Sequence, residues 1–417
     1  MQAFVHAHAT HPDARLALGL VCAQLDAQLA GRPAPTLGWC YLTDHHATAA
    51  EALLAALRER YPGADWVGTV GIGICASGVE YFDEPGLAVM LAPLPRAHFR
   101  VFSGRRPLQG DAGFTPHTAL VHADPSTPEL AELIGELSER VDSGYLFGGL
   151  GSARNRTLTI AADTGDGGVF TGGLSGVAFT ADVAIVSRIT QGCQPVGPVR
   201  AITRIERNVV YELDDQPALD CLLSDLGADE HTPREALPRL RSTLVGLSDT
   251  AVQHGEFVTA PRRHAFGTET RVRHLIGIDP QRRGIAIADT AAAGQQLAFC
   301  RRDTEAARRD LVRIATEIRS TLEPEELSLA AQPAALALRA DGSANAVAAG
   351  GRQIVGALYM SCTGRGGPHF GAPSAELQLL RHALGDVPLV GFFAAGEIGH
   401  RHLYGYTGVL TVFTAAA

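Results

Sequence analysis

Apolar positions fall into one arrangement three times along the chain: a helical stretch, a short turn, then a hydrophobic residue followed by Gly. The copies are LLAALRERYPGADWVG, LIGELSERVDSGYLFG and LQLLRHALGDVPLVG. In each, apolar residues stand 14 and 11 positions before the closing Gly: Leu54 and Leu57 before Gly68, Ile134 and Leu137 before Gly148, Leu377 and Leu380 before Gly391. A three-residue step places both on one helix face. Short apolar runs precede the helices at Gly38 to Leu42, Ala119 to His122 and Ala357 to Met360, and read as strands. Strand, helix and strand within this length predict a β-α-β unit, because parallel neighbours need a crossover.

The first and third copies continue alike. Gly73 and Tyr81 lie 5 and 13 residues after Gly68, and Gly396 and Tyr404 lie 5 and 13 after Gly391. Both copies then end in a strand, Leu87 to Leu91 and Val409 to Phe413. The expected fold is therefore α/β and two-domain, with repeated β-α-β-β units forming mixed sheets covered by helices. Pro195 and Pro198 mark a boundary that divides the chain into 1–198 and 199–417. Further strands are expected in Ala201 to Leu213, RHLIGIDPQ and RGIAIAD, helices at Pro217 to Leu226 and Glu305 to Leu322, and a low-complexity linker in AAQPAALALRADGSANAVAAGGRQ.

Composition narrows the function. Thirty-five basic against 44 acidic residues give a net charge of −9, and without a basic run this argues against nucleic acid or an anionic membrane as partner. All 35 basic residues are Arg, so Schiff-base chemistry on Lys and a Walker P-loop are excluded. The 7 Cys lack a C-x-x-C pair and read as reduced thiols of a cytoplasmic protein, and no run of 18 apolar residues suggests a membrane span.

Familiar signatures mostly fail. Gly71, Gly73 and Ala76 match G-x-G-x-x-A, but Gly78 and Pro85 follow where a phosphate-binding helix should start. G-x-S-x-G and H-E-x-x-H are absent. Three segments carry candidate chemistry. Ser361-Cys362-Thr363-Gly364-Arg365-Gly366-Gly367 lies where a strand gives way to the helix containing Glu376, and its guanidinium, hydroxyls and freed N–H groups suit a carboxylate. Gly396-Glu397-Ile398-Gly399 follows the second strand of that unit, so Arg365 and Glu397 can share one mouth, with the carboxylate placed to receive an amine. His400 and His402 would face one side of a strand. Gln191 to Pro198, with Gly192, Cys193 and Gly197, is a shaped loop, either a ligand contact or a domain linker. A direct Arg365–Glu397 pair with no room for a ligand is the competing arrangement.

The ordered strings WVGTVGIGI, YFDEPGLAVML, GGLSG, TQGCQPVGP, LDDQPAL, ALYMSCTGRG, FGAPSAEL, VPLVGFFAAGEIG and LYGYTGVLTVF resemble the FIST (F-box and intracellular signal transduction) sensory family across nearly the whole chain. The resemblance implies a sensor of a small ligand, with amino acids or related metabolites as ligand class. It also implies FIST N-terminal and C-terminal domains, and places Cys362, Arg365, Glu376, Gly396 and Glu397 in C-terminal motifs and Gly192, Cys193 and Gly197 in an N-terminal one. Many relatives carry a Gly-Glu pair in the first unit, where this chain has Gly73-Ile74.

The candidate ligand-binding set is Ser361, Cys362, Arg365, Gly366, Glu376, Gly396, Glu397, Tyr404 and Cys193, with no catalytic residue and no metal ligand assigned. No cofactor is required. Haem, which some family members use to sense nitric oxide, stays open, as does a Cys- or Glu-dependent enzyme acting on a small carbonyl substrate. Output is expected through a separate signalling protein or a homo-oligomer interface.

Overall fold

The computed structural model describes residues 3–110, 113–227, 239, 240, 242–248, 270–322 and 351–416. Residues 330–350 of the expected linker lie outside them. The fold is mixed α/β, with four sheets, and the threefold repetition read from the sequence is its organising feature.

The first module runs β1 (Val5–Ala9), α1 (Ala14–Leu29), β2 (Leu37–Thr43), α2 (Ala50–Arg60), β3 (Asp65–Gly71), β4 (Gly73–Ala76), β5 (Val79–Phe82) and β6 (Leu87–Ala92). The second runs β7 (Phe99–Phe102), β8 (Thr118–Ala123), α3 (Leu130–Glu139), β9 (Tyr145–Leu150), β10 (Thr159–Ala162), β11 (Gly167–Phe170) and β12 (Leu174–Phe179). The third opens with β13 (Ile185–Gln191) and is then interrupted by an insertion. The inserted elements are β14 (Cys193–Pro195), β15 (Arg200–Glu206), β16 (Val209–Leu213), β17 (Gln216–Pro217), α4 (Ala218–Leu226), β18 (Leu244–Ser248), β19 (Arg271–Asp279), β20 (Gly284–Ile287) and β21 (Gln296–Arg302). The third module resumes with α5 (Thr304–Leu322), β22 (Arg352–Cys362), α6 (Ala375–Leu384), β23 (Leu389–Ala394), β24 (Glu397–His400), β25 (His402–Tyr404) and β26 (Thr407–Ala416).

Within each module the two strands around the helix are parallel, with Cys40 opposite Gly68, Val121 opposite Gly148 and Tyr359 opposite Gly391. The third strand returns antiparallel, β6 on β2, β12 on β8 and β26 on β22. The recurring Gly has a steric origin. A Cβ at Gly68, Gly148 or Gly391 would lie 1.8, 1.9 or 1.7 Å from the carbonyl oxygen of its parallel neighbour, so no side chain fits.

The hairpin after each β-α-β unit leaves its own sheet. Hairpin β4–β5 pairs with β23 of the third module, β24–β25 with β9 of the second, and β10–β11 with β3 of the first. Each module thus lends one hairpin and receives another, in a closed cycle. One ring from each module meets at the centre: Tyr41, His122 and Phe392, with centroids 5.4 to 5.8 Å apart.

The insertion curls on itself. Strands β15, β16, β20, β19 and β18 lead from β21 back to β21, closing a ring of six strands around a core that includes Val245, Ile285, Leu297 and Phe299. Helix α5 buries Leu311, Ile314, Ala315, Ile318 and Leu322, the stripe expected of a helix with one covered face. Among the described residues no helix is long and apolar enough to cross a membrane.

Candidate functional site

Tyr359 and Ser361 stand two apart on β22, so both side chains project to one sheet face, where they meet Glu376 in the first turn of α6. The Tyr359 hydroxyl donates to Glu376 Oε1 at 2.7 Å and Ser361 Oγ to Oε2 at 2.9 Å. Arg365, in the 3-10 turn Thr363–Arg365 that follows β22, donates Nε to Glu376 Oε1 at 2.8 Å and Nη2 to the same oxygen. Both charged side chains are 1% exposed. Burial opposes the guanidinium's charge, but the Glu376 carboxylate outweighs it and holds Arg365 protonated, with its pKa raised. The Phe370 ring lies under the guanidinium at 5.2 Å.

One nitrogen of this fork is left over: Arg365 Nη1 is buried without a hydrogen-bond partner. It faces the chain at Gly192, where a Cβ would come within 3.4 Å of Nη1 and 2.8 Å of the Tyr406 carbonyl. Glycine lets that loop pass against the Tyr406 carbonyl, where a side chain would clash, and beside the guanidinium.

Glu397 begins β24 and is fully buried. Its Oε2 accepts from Thr407 Oγ1 at 2.7 Å and from the Thr407 amide at 3.1 Å, while Oε1 has no partner. Burial pushes this carboxyl up to about 8, against the opposing pull of Thr407, Arg365 and a hydrogen bond from the Cys362 thiol. The Cys362 thiol lies beside it and is pushed up to about 12 by burial and by Glu397. Cys193 is buried next to Cys300, whose thiol is raised by their mutual hydrogen bond and by burial.

The floor comes from the first module through its lent hairpin. Glu80 accepts the Gly367 amide at 2.9 Å and donates its own amide to Ser374 Oγ at 3.0 Å. Its carboxyl is raised by burial, with Glu376 adding to the effect. A Cβ at Gly366 would lie 2.2 Å from the Phe82 ring, so that glycine makes room for a protein ring. The roof comes from the insertion: Arg302 donates to the Gly364 carbonyl and stacks over Tyr406 at 5.0 Å.

Of the residues singled out in the sequence, Ser361, Cys362, Arg365, Glu376 and Glu397 therefore form one buried cluster. Gly366 adjoins it, Tyr404 lies cross-strand from Glu397, and Gly396 carries the chain to β9 through a carbonyl accepting from Leu150. Cys193 stands apart from the carboxylates and joins through Gly192. Two expectations change, and one competing arrangement is set aside. The bidentate fork of Arg365 meets Glu376, where it was expected to be open to a ligand. Arg365 and Glu397 do not pair directly. His400 and His402 flank the turn of a hairpin, where they were expected along one strand, and no group of three His, Cys, Asp or Glu able to hold a metal occurs among the described residues.

Sequence reasoning missed Tyr359, Thr407, Glu80 and Phe82. Only the matched spacing of Tyr81 and Tyr404 hinted that the first hairpin matters, and nothing in it says where the hairpin docks. Two open clefts lie elsewhere, one of about 340 Å³ near Arg58 and Arg106 and one of about 410 Å³ near Tyr145 and Arg188, and neither is lined by a residue of the cluster.

Comparison with known proteins divides the chain into two consecutive family domains. A family model of the FIST N domain matches residues 36–216, and one of the FIST C domain matches residues 218–400. The chain is 30% identical to the uncharacterized protein MT0656 of Mycobacterium tuberculosis (strain CDC 1551 / Oshkosh), across 97% of each chain. It is 29% identical to the uncharacterized protein Mb0898c of Mycobacterium bovis (strain ATCC BAA-935 / AF2122/97), again across 97% of each.

Proposed function

We propose that this chain, which belongs to the FIST family, is a small-ligand sensor that holds an amino acid or related metabolite at the cluster around Arg365 and Glu397. FIST domains are signal-transduction sensory domains. The observation that carries the assignment is a pair of buried ionisable side chains, each with one unpartnered polar atom, Arg365 Nη1 and Glu397 Oε1. Leaving such atoms unpaired costs about 1–3 kcal/mol each. A ligand that offers an acceptor to the first and a donor to the second recovers that cost.

Catalysis is the weaker reading. A thiol pushed up to about 12 carries little thiolate at neutral pH, and a carboxyl near 8 is mostly protonated there and cannot serve Cys362 as base. The seven free cysteines suit a reducing compartment, which supports a cytoplasmic sensor passing its signal to a separate protein.

A thermal-shift screen of L-amino acids against the full chain tests the assignment. Binding raises the melting temperature, and Glu397→Gln weakens affinity by roughly 2–5 kcal/mol. A panel that leaves wild type unmoved rejects the ligand class.

A further inference from the structure

The cluster's charges do not balance. Glu80, Glu376 and Glu397 are 4%, 1% and 0% exposed, and the one buried guanidinium among them is Arg365, 1% exposed. Glu376 takes Arg365 as its partner through Nε and Nη2. Two further cations, Arg302 and Arg308, are engaged with main-chain carbonyls, Arg302 with Gly364 and Arg308 with Phe370. Among the described residues, Glu80 and Glu397 are then left without a cation paired to them. Of these, Glu80 accepts the Gly367 amide, whereas Glu397 keeps an oxygen with no partner.

Building on the sensor reading, we propose that the site recognises a cationic nitrogen, and that this ammonium enters in exchange for the proton of Glu397. The groups facing Glu397 are Arg365 from the 3-10 turn, Cys362 from β22 and Thr407 from β26. Behind them stand Glu376, which neutralises Arg365, and Tyr406, whose amide faces the Cys362 sulfur. With Arg365 already neutralised, an ammonium meets no unbalanced positive charge, and the carboxylate it generates is stabilised by the new pair. The balance is simple: a protonated amine and a neutral carboxyl become an ammonium–carboxylate pair, and one proton leaves to solvent. Arg365 Nη1, with its two N–H groups unpartnered, is left to read whatever acceptor the same ligand carries.

The recognition is therefore asymmetric. An amine without a carboxylate should bind, and a carboxylate without an amine should not. The main chain at Gly192, where a Cβ would lie 3.4 Å from Nη1, sits beside this nitrogen and keeps the acceptor end small.

The experiment uses the two halves of glycine separately, methylammonium and acetate, in titrations of the full chain followed by calorimetry. Methylammonium stays cationic across the working range. Its affinity should rise roughly tenfold from about pH 6 to about pH 7 and level off above about pH 8, as a carboxyl titrating near that value gives up its proton. Calorimetry in two buffers of different ionisation enthalpy should count about one proton released per methylammonium bound at about pH 6.5. In Glu397→Gln, confirmed folded by circular dichroism, both the binding and the proton release should vanish.

Acetate binding without methylammonium binding overturns the proposal, as does methylammonium binding with no pH dependence or with equal strength in Glu397→Gln. If Glu397→Gln fails to fold, the proton count on wild type decides alone. Failure of the amino-acid reading looks different: methylammonium still binds with proton release while glycine and alanine gain nothing over it. Glycine binding with no proton released leaves the sensor reading standing and removes the exchange.

Discussion

Arg365 sits under a sheet, over a phenyl ring and against a carboxylate, and that carboxylate depends on it. Glu376 Oε1 receives three donors, two of them from Arg365. Arg365→Ala should cost about 3–5 kcal/mol in urea denaturation, since it strands a buried carboxylate. Replacing both partners by Met should recover much of that loss, and failure to do so would mean the pair adds net stability here. Glu397 behaves in the opposite sense. Its carboxyl is raised to about 8 in the fold, so the native state keeps a proton that the unfolded chain gives up at about pH 4.5. Its contribution is full below that value and falls by about 1.4 kcal/mol per pH unit as pH rises, until it is lost above about pH 8. Wild type should therefore lose stability between about pH 5 and 8 relative to Glu397→Gln, and parallel stability profiles would contradict the raised value. Arg365 and Glu397 were visible in the sequence because charge stood beside Gly at two strand ends. Glu80 was not, because its partner Gly367 is 287 residues away and no local pattern records such a contact.

At the level of strands and helices, the glycines divide into those that the packing requires and those that it tolerates. Gly391→Ala must place a methyl 1.7 Å from the Tyr359 carbonyl, and the strands have to separate to admit it. A loss of about 3 kcal/mol or more is expected, visible as a lowered denaturation midpoint. Gly19 is the control: it lies in α1, a Cβ there meets nothing within 4 Å, and Gly19→Ala should gain about 0.5–1 kcal/mol. The first kind of glycine made the repeat legible, because a steric demand recurring at one place in a β-α-β unit leaves the same letter at the same spacing. The destination of the hairpins was not legible. Each module offers an equivalent strand edge, and alternation of apolar residues says that β4 pairs without saying with which edge.

For the whole molecule, lending hairpins in a cycle ties the three modules into one cooperative body. Calorimetry should show the modules melting in one transition, whose van't Hoff and calorimetric enthalpies agree. A fragment of residues 1–95 should remain unfolded, since its sheet lacks β10 and β11 and its own hairpin has nowhere to dock; a folded fragment would show that the modules are independent. The same wiring sets a timetable for synthesis. Ser77, on the first hairpin, bonds to Leu389, 312 residues later. At roughly 5–20 residues per second, a ribosome takes roughly 15–60 seconds to cover that distance. For that interval a finished hairpin waits with an open edge, exposed to proteases and to neighbouring nascent chains. Chains stalled before residue 389 should be cut within 73–82 and completed chains spared, so the last strands to emerge decide whether the first ones survive.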